Sequence, residues 1–278
     1  MRNCMIGSVV VATLLAFSHG LLAQAPTARP GPAGAKASPD LSGIWDGGGG
    51  GRVTGPGVFA GGAPDARGGV PAAGFTKEEP SMQPWALEVY RARREGRDPT
   101  QRGREEGDPS MYPYCMPRGF PRVYNFNPFV EIVQTPTVLY MLFESDHQTR
   151  RIYLDGRKHL DGWAPSLMGI SHGRWDGDTL IVETENLLSL NKRGWLDTFG
   201  HPFTEALRVT ERIRRTAPDT LQIDLTFDDP GAYTKPWTGR KVFQLASDWD
   251  MTDSMFCEEH IQEDFSRDLR NGKPAGRP

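Results

Sequence analysis

Gly169-Ile-Ser-His-Gly-Arg-Trp-Asp-Gly-Asp-Thr-Leu-Ile-Val-Glu-Thr184 decides the fold class of this chain. Asp176-Gly177 between two alternating segments is a strong short-range signal for a β-hairpin, because a tight turn needs the positive φ that Gly, Asn and Asp tolerate. With these two as the central pair, Trp175 stands opposite Asp178, Gly173 opposite Leu180 and Ser171 opposite Val182. The other face then holds Arg174 with Thr179, His172 with Ile181 and Ile170 with Glu183. One face is apolar, and the second mixes aliphatic residues with His172, Arg174 and Glu183. Apolar residues on both faces imply that something covers each of them.

Strand follows strand on both sides of this hairpin. Residues 129–135, 137–144 and 150–155 precede it, and 137–144 is nearly continuous apolar, as expected where both faces are covered. Residues 207–214 turn back at Ala217-Pro218-Asp219 into 221–228, and 241–246 and 251–256 close the set. Short spacings with hairpin turns favour a mainly β fold, an antiparallel β-barrel built as a meander, with no helical spacing of the kind βαβ units need. One helix is expected over 81–96, where Pro84 suits the first turn and Trp85 and Val89 share a face. Residues 46–76 read as a Gly/Pro-rich insertion, and 97–128 as a long proline-punctuated loop packed across the sheet.

The ends bound the compartment. Arg2, an apolar run from Met5 to Phe17 and Ala23-Gln24-Ala25 form the pattern of a secretory signal peptide over residues 1–23. Cleavage after Ala23 is favoured over cleavage after Ala25, which would place Pro26 next to the scissile bond. The run is too short for a membrane helix, which needs about 20 residues. The expected organisation is a disordered leader at 24–39, a single barrel-like domain at 40–262 and a flexible tail at 263–278, in a periplasmic or secreted protein without stable membrane insertion. Of the three cysteines, Cys4 leaves with the signal peptide. Cys115 and Cys257 then read as one disulfide in an oxidising compartment, contributing roughly 4–5 kcal/mol in the chain-entropy model.

The net charge of −3 excludes a generally basic protein. The arginine-rich window around Arg91–Arg104 is matched by Glu88, Glu95, Asp98, Glu105, Glu106 and Asp108, which cancels the field that nucleic-acid binding requires. His147, His159, His172, His201 and His260 lack a close ligand spacing, so neither a metal nor a cofactor is expected.

The chemistry concentrates in two places. On 207–214, Leu207, Val209, Glu211 and Ile213 share one face, which sets a carboxylate in an apolar row. A buried charge costs several kcal/mol unless paired or facing a cavity. Either an inward arginine, Arg118 or Arg122, closes an ion pair with Glu211, or Glu211 is an acid or base in a ligand cavity. His172 and Glu183 are diagonal neighbours in the hairpin, close enough for a carboxylate to orient an imidazole for proton transfer, or simply a solvent-facing polar pair. Arg174 and Trp175 complete the candidate ligand contacts. Gly169-Ile-Ser-His-Gly173 also matches the serine hydrolase elbow, but that motif needs a helix where a hairpin follows.

Asp40-Leu-Ser-Gly-Ile-Trp45, Glu131-Ile-Val-Gln-Thr135, Arg150-Arg-Ile-Tyr-Leu-Asp-Gly156, Gly173-Arg-Trp-Asp-Gly-Asp-Thr-Leu180, Thr210-Glu-Arg212 and Pro236-Trp-Thr238 together resemble a large family of uncharacterised exported bacterial proteins. The opening Gly-x-Trp is also similar to the first-strand signature of lipocalin-type barrels. The resemblance implies an exported β-barrel-like domain and carries no activity with it. His172 stands where family members tend to have an aliphatic residue, Arg208 where they have a histidine, and Phe203 where another histidine is usual. Two functions are therefore expected to compete. One is a barrel cavity that binds a small, largely apolar or aromatic molecule. The other is a hydrolase, isomerase or lyase using Glu211 or His172–Glu183.

Overall fold

The computed structural model describes residues 38–47, 74–95, 117–125, 129–144, 147–157, 159, 162–190 and 194–251. The expected signal peptide, nearly all of the leader, the tail, both cysteines of the expected disulfide and most of the Gly/Pro-rich insertion lie outside the described residues, as does nearly all of the expected strand at 251–256.

Nine strands close into a barrel in sequence order: β1 Gly43–Asp46, β2 Phe129–Gln134, β3 Val138–Phe143, β4 Thr149–Tyr153, β5 Ile170–Asp176, β6 Thr179–Glu185, β7 Arg208–Ala217, β8 Thr220–Asp228 and β9 Trp237–Leu245. β9 returns to β1 through Trp45↔Leu245, so no edge strand is left unpaired. The one described α-helix, α1 Pro84–Arg94, has Pro at its first turn. Ala86, Tyr90 and Arg93 form its buried stripe, while Trp85 and Val89 are half-buried beside it.

The expected meander holds with one correction: β4 and β5 pair in parallel, through Ile152↔Ser171 and Tyr153↔His172. Parallel neighbours need a crossover of a dozen or more residues. Residues 154–169 give that length, the described ones among them form no helix, and Arg157, His159, Gly162 and Trp163 lie against the outer face of β5 and β6. They are pinned there by Ser166, whose N–H donates to the Asn186 carbonyl at 3.2 Å and whose carbonyl accepts from Leu188 N–H at 2.9 Å.

The central hairpin also differs from expectation, by two residues of register. Asp176 pairs with Thr179, Trp175 with Leu180, Gly173 with Val182 and His172 with Glu183. The turn residues are therefore Gly177-Asp178, with Gly177 at φ 63° in the first central position, a pattern that hairpin turns accept when glycine leads. A slip of two preserves side-chain parity, so each residue keeps its expected face.

Inward positions follow the period of two around the whole wall. Val130 and Ile132, Leu139 and Met141, Leu180 and Val182, Val209 and Ile213, and Leu221, Ile223, Leu225 and Phe227 are all buried. Part of the space they enclose is filled by the chain itself. Phe120 and Tyr124, the latter in a 3-10 turn at Arg122–Asn125, pack into the barrel, with Tyr124 against Phe143 and Phe243 at ring centroid distances of 5.7 and 6.0 Å. Phe75 enters beside Phe227 at 5.1 Å. Part of the expected barrel-enclosed ligand space is thus taken up by the chain's own residues, because the proline-rich segment carries aromatic side chains that the apolar lining can bury.

Candidate functional site

Glu211 lies in the interior and is 0% exposed. Its register partners are Val182 on β6 and Leu225 on β8. The cation that answers it is Arg150 on β4, which is 1% exposed and forms a bidentate ion pair with both carboxylate oxygens. The expectation that Arg118 or Arg122 closes this pair is corrected. Arg150 shares the inward row of Ile152, so strand alternation aims it across the barrel. Arg118 and Arg122 belong to the segment that fills the barrel, and the Arg122 guanidinium lies 4.9 Å from the Trp195 ring centroid.

Every polar atom around the pair has a partner. Tyr124 Oη donates to Glu211 Oε1 at 2.9 Å and accepts from Arg150 Nη1 at 2.7 Å. Arg150 Nη2 donates to Thr184 Oγ1 at 2.8 Å, and Nε donates to Ser171 Oγ at 3.2 Å. The Phe120 ring caps the guanidinium at 3.8 Å. Burial, reinforced by the Glu211 carboxylate, pushes the Tyr124 phenol well above its ordinary value, so it stays a neutral donor. All of these polar groups are buried and hydrogen-bonded to one another, which makes the network structural. The motif serine Ser171 belongs to it, buried and without a following helix, so the elbow is absent.

A cleft of about 770 Å³ lies outside the barrel, over the outer face of β5 and β6. His172, Arg174, Ile181, Glu183 and Glu185 form its floor, the crossover residues Arg157, His159, Gly162 and Trp163 one wall, and Glu205, Ala206 and Arg208 the other. Three of the expected site residues, His172, Glu183 and Arg174, therefore converge, with His172 directly opposite Glu183. Trp175 does not join them. It faces inward across from Leu180 and packs on the core.

Sequence reasoning missed Trp163 and His159. Trp163 is 55% exposed, and its carbonyl accepts from the Asn186 amide at 2.9 Å, which fixes the loop at that point. Gly169 is needed just beyond, since at φ 63° a Cβ would come 2.6 Å from the Glu185 carbonyl oxygen. The His159 ring lies 4.9 Å from His172, 4.9 Å from Tyr153 and 5.5 Å from Trp163 by centroids. Burial, then the neighbouring His172 and Arg157, lowers the His159 pKa below its ordinary 6.5, so it is neutral at pH 7. Its Nε2 is buried and without a hydrogen-bond partner.

The cleft's other charges are largely matched. Arg157 clamps Asp155 through Nε at 2.9 and 3.0 Å, holding that carboxyl down to about 2. Arg208 pairs with Glu185, and Ser189 donates to Glu205. Arg174, by contrast, has no hydrogen-bond or ion-pair partner among the described residues.

A third cluster sits under α1. His201, 3% exposed, bonds Asp197 Oδ2 through Nδ1 at 2.7 Å and stacks on Tyr90 at 4.4 Å. Lys241 on β9 faces the interior, its ammonium 5.1 Å from the Phe75 ring centroid. Burial pushes its pKa down from 10.5 to about 7, which Asp197 offsets only in part. Among the described residues, no three His, Cys, Asp or Glu side chains converge as a metal would need, and no helix is long and apolar enough to cross a membrane.

Comparison with known proteins finds no matching family model, curated protein or solved structure. No residue role is carried over from a relative, and the site rests on its own geometry.

Proposed function

We propose that this is an exported protein that binds a small aromatic molecule in the outer cleft rather than inside the barrel. The observation that carries the reading is the aromatic wall. Trp163 stands largely exposed on a pinned loop, with His159 and His172 behind it, beside a space large enough for a drug-sized molecule. Leaving a tryptophan in water forgoes roughly 1.5–3 kcal/mol of burial, which a stacked ligand restores. Export is supported by the basic residue, apolar run and Ala-Gln-Ala at the N-terminus.

The pairing of His172 with Glu183 favours a second reading, in which the cleft is an active site. A carboxylate directly opposite an imidazole can orient it for proton transfer to or from a bound molecule. Glu211 plays no part in either reading, because its carboxylate is closed off by Arg150. The test is a saturation-transfer NMR screen of small aromatic compounds against the mature protein. Binding is expected to disappear in Trp163→Ala; hits that bind that variant equally well place the site elsewhere.

A further inference from the structure

The cleft that this reading rests on carries charged groups of both signs, most of them paired. It contains three arginines and three glutamates. Arg208 is neutralised by Glu185 within the cleft, and Arg157 by Asp155 at its edge. Glu205 is engaged by Ser189. Arg174 and Glu183 are left, on adjacent strands, diagonal to one another across Ile181, which pairs with Arg174. Arg174 is exposed at the floor of the cleft, and its planar fork of donors matches a carboxylate in bidentate fashion.

The second feature is the unpartnered, buried Nε2 of His159, on the wall next to Trp163. A buried imidazole nitrogen without a partner is unfavourable until something bonds to it. Its lowered pKa keeps the ring neutral, so the free nitrogen accepts or donates one hydrogen bond rather than adding a charge.

We propose that the cleft is a receptor for aromatic monocarboxylates, with Arg174 holding the carboxylate, Trp163 stacking on the ring, and His159 and His172 offering hydrogen bonds to a ring hydroxyl. A monoanion suits the site better than a dianion, because one arginine is available and Glu183 stands beside it. Phosphate esters are disfavoured for the same reason, since their second charge would face Glu183.

The test compares benzoate, 4-hydroxybenzoate, benzamide and phenyl phosphate by isothermal titration of the full mature protein. Benzamide keeps the shape of benzoate and removes its charge. The expected order is 4-hydroxybenzoate tightest, then benzoate, with benzamide and phenyl phosphate each about tenfold weaker than benzoate. In Arg174→Gln, benzoate should fall to the level of benzamide, while benzamide itself is unchanged. Equal affinity for benzoate and benzamide, or no effect of Arg174→Gln on benzoate, overturns the carboxylate assignment and leaves the aromatic cleft standing. If none of the four compounds binds, and an aromatic screen finds nothing sensitive to Trp163→Ala, both readings fall. A thermal melt of Arg174→Gln matching wild type shows that the variant is folded.

Discussion

Glu183 and Glu211 sit on adjacent strands at successive rungs of the same ladder, where Val182 pairs with Glu211 and Glu183 with Thr210. One step of alternation separates them, and it reverses their surroundings. Glu211 points inward, where Arg150, Tyr124 and the hydroxyls of Thr184 and Ser171 build a closed polar cluster in an apolar core. Glu183 points outward into a cleft beside His172 and near Arg174. A carboxylate in an apolar strand is therefore not by itself a sign of chemistry. What distinguishes the two is whether the groups around each are already satisfied. The interior cluster has no capacity left for a ligand, whereas the cleft retains an arginine and an imidazole nitrogen without partners.

The comparison is broken most decisively in the interior. Arg150→Met leaves Glu211 as a buried charge without its cation and is expected to cost about 3–5 kcal/mol. Glu211→Leu alone should cost a similar amount by stranding Arg150. The double variant Arg150→Met/Glu211→Leu removes both charges and should recover most of the loss, since a well-packed apolar pair often matches a buried ion pair. Urea unfolding of the four proteins measures the cycle. A double variant with simply additive losses would show that the two side chains do not act as a closed unit.

Lys241 sharpens the interior half at smaller amplitude. Its folded pKa of about 7 lies below the ordinary 10.5. Between those values the unfolded chain holds a proton that the folded chain releases, so stability rises with pH across that window. The slope is at most about 1.4 kcal/mol per pH unit. Unfolding of wild type and Lys241→Met at pH 7, 8 and 9 isolates it. Wild type should gain stability relative to Lys241→Met as pH rises, and a gap that stays constant would mean the ammonium keeps its proton in the fold.

How much of this was readable from the residues follows from what each feature depends on. The alternation of Leu207, Val209, Glu211 and Ile213 needs only the period of a strand, and all four are buried as it requires. The faces of the 170–185 hairpin were equally legible, but its register was not. Both Asp176-Gly177 and Gly177-Asp178 form acceptable turns, and choosing between them moves every pair by two while leaving every face unchanged. Arg150 was within reach, because an inward Ile152 places the residue two positions before it inward as well. Trp163 and His159 were not. Their place over His172 depends on β4 and β5 running parallel, which brings them back to the outer face, and no local pattern in that connection announces it. The filling of the barrel by Phe120 and Tyr124 is likewise a tertiary event, since an aromatic residue in a proline-rich loop reads the same whether it docks or dangles.

The smallest expected effects fall in the cleft, where they matter because they are small. Glu183 is exposed and His172 half-buried, so neither side chain is required to complete the core. Glu183→Gln and His172→Ala should each leave stability within about 0.5 kcal/mol of wild type, and their coupling in a double variant should not exceed about 1 kcal/mol for a cross-strand pair. The same substitutions should change binding of aromatic ligands, through loss of a hydrogen-bonding imidazole in one and of a negative charge beside Arg174 in the other. In Glu183→Gln the field at Arg174 becomes more positive, so benzoate should bind more tightly while benzamide is unaffected. Urea unfolding and isothermal titration on the same preparations decide it. Losses of several kcal/mol would mean that the pair braces the crossover loop against the barrel, making this cleft as structural as the Arg150–Glu211 cluster. Unchanged stability with altered benzoate affinity would leave the two carboxylates divided as their opposite faces suggest.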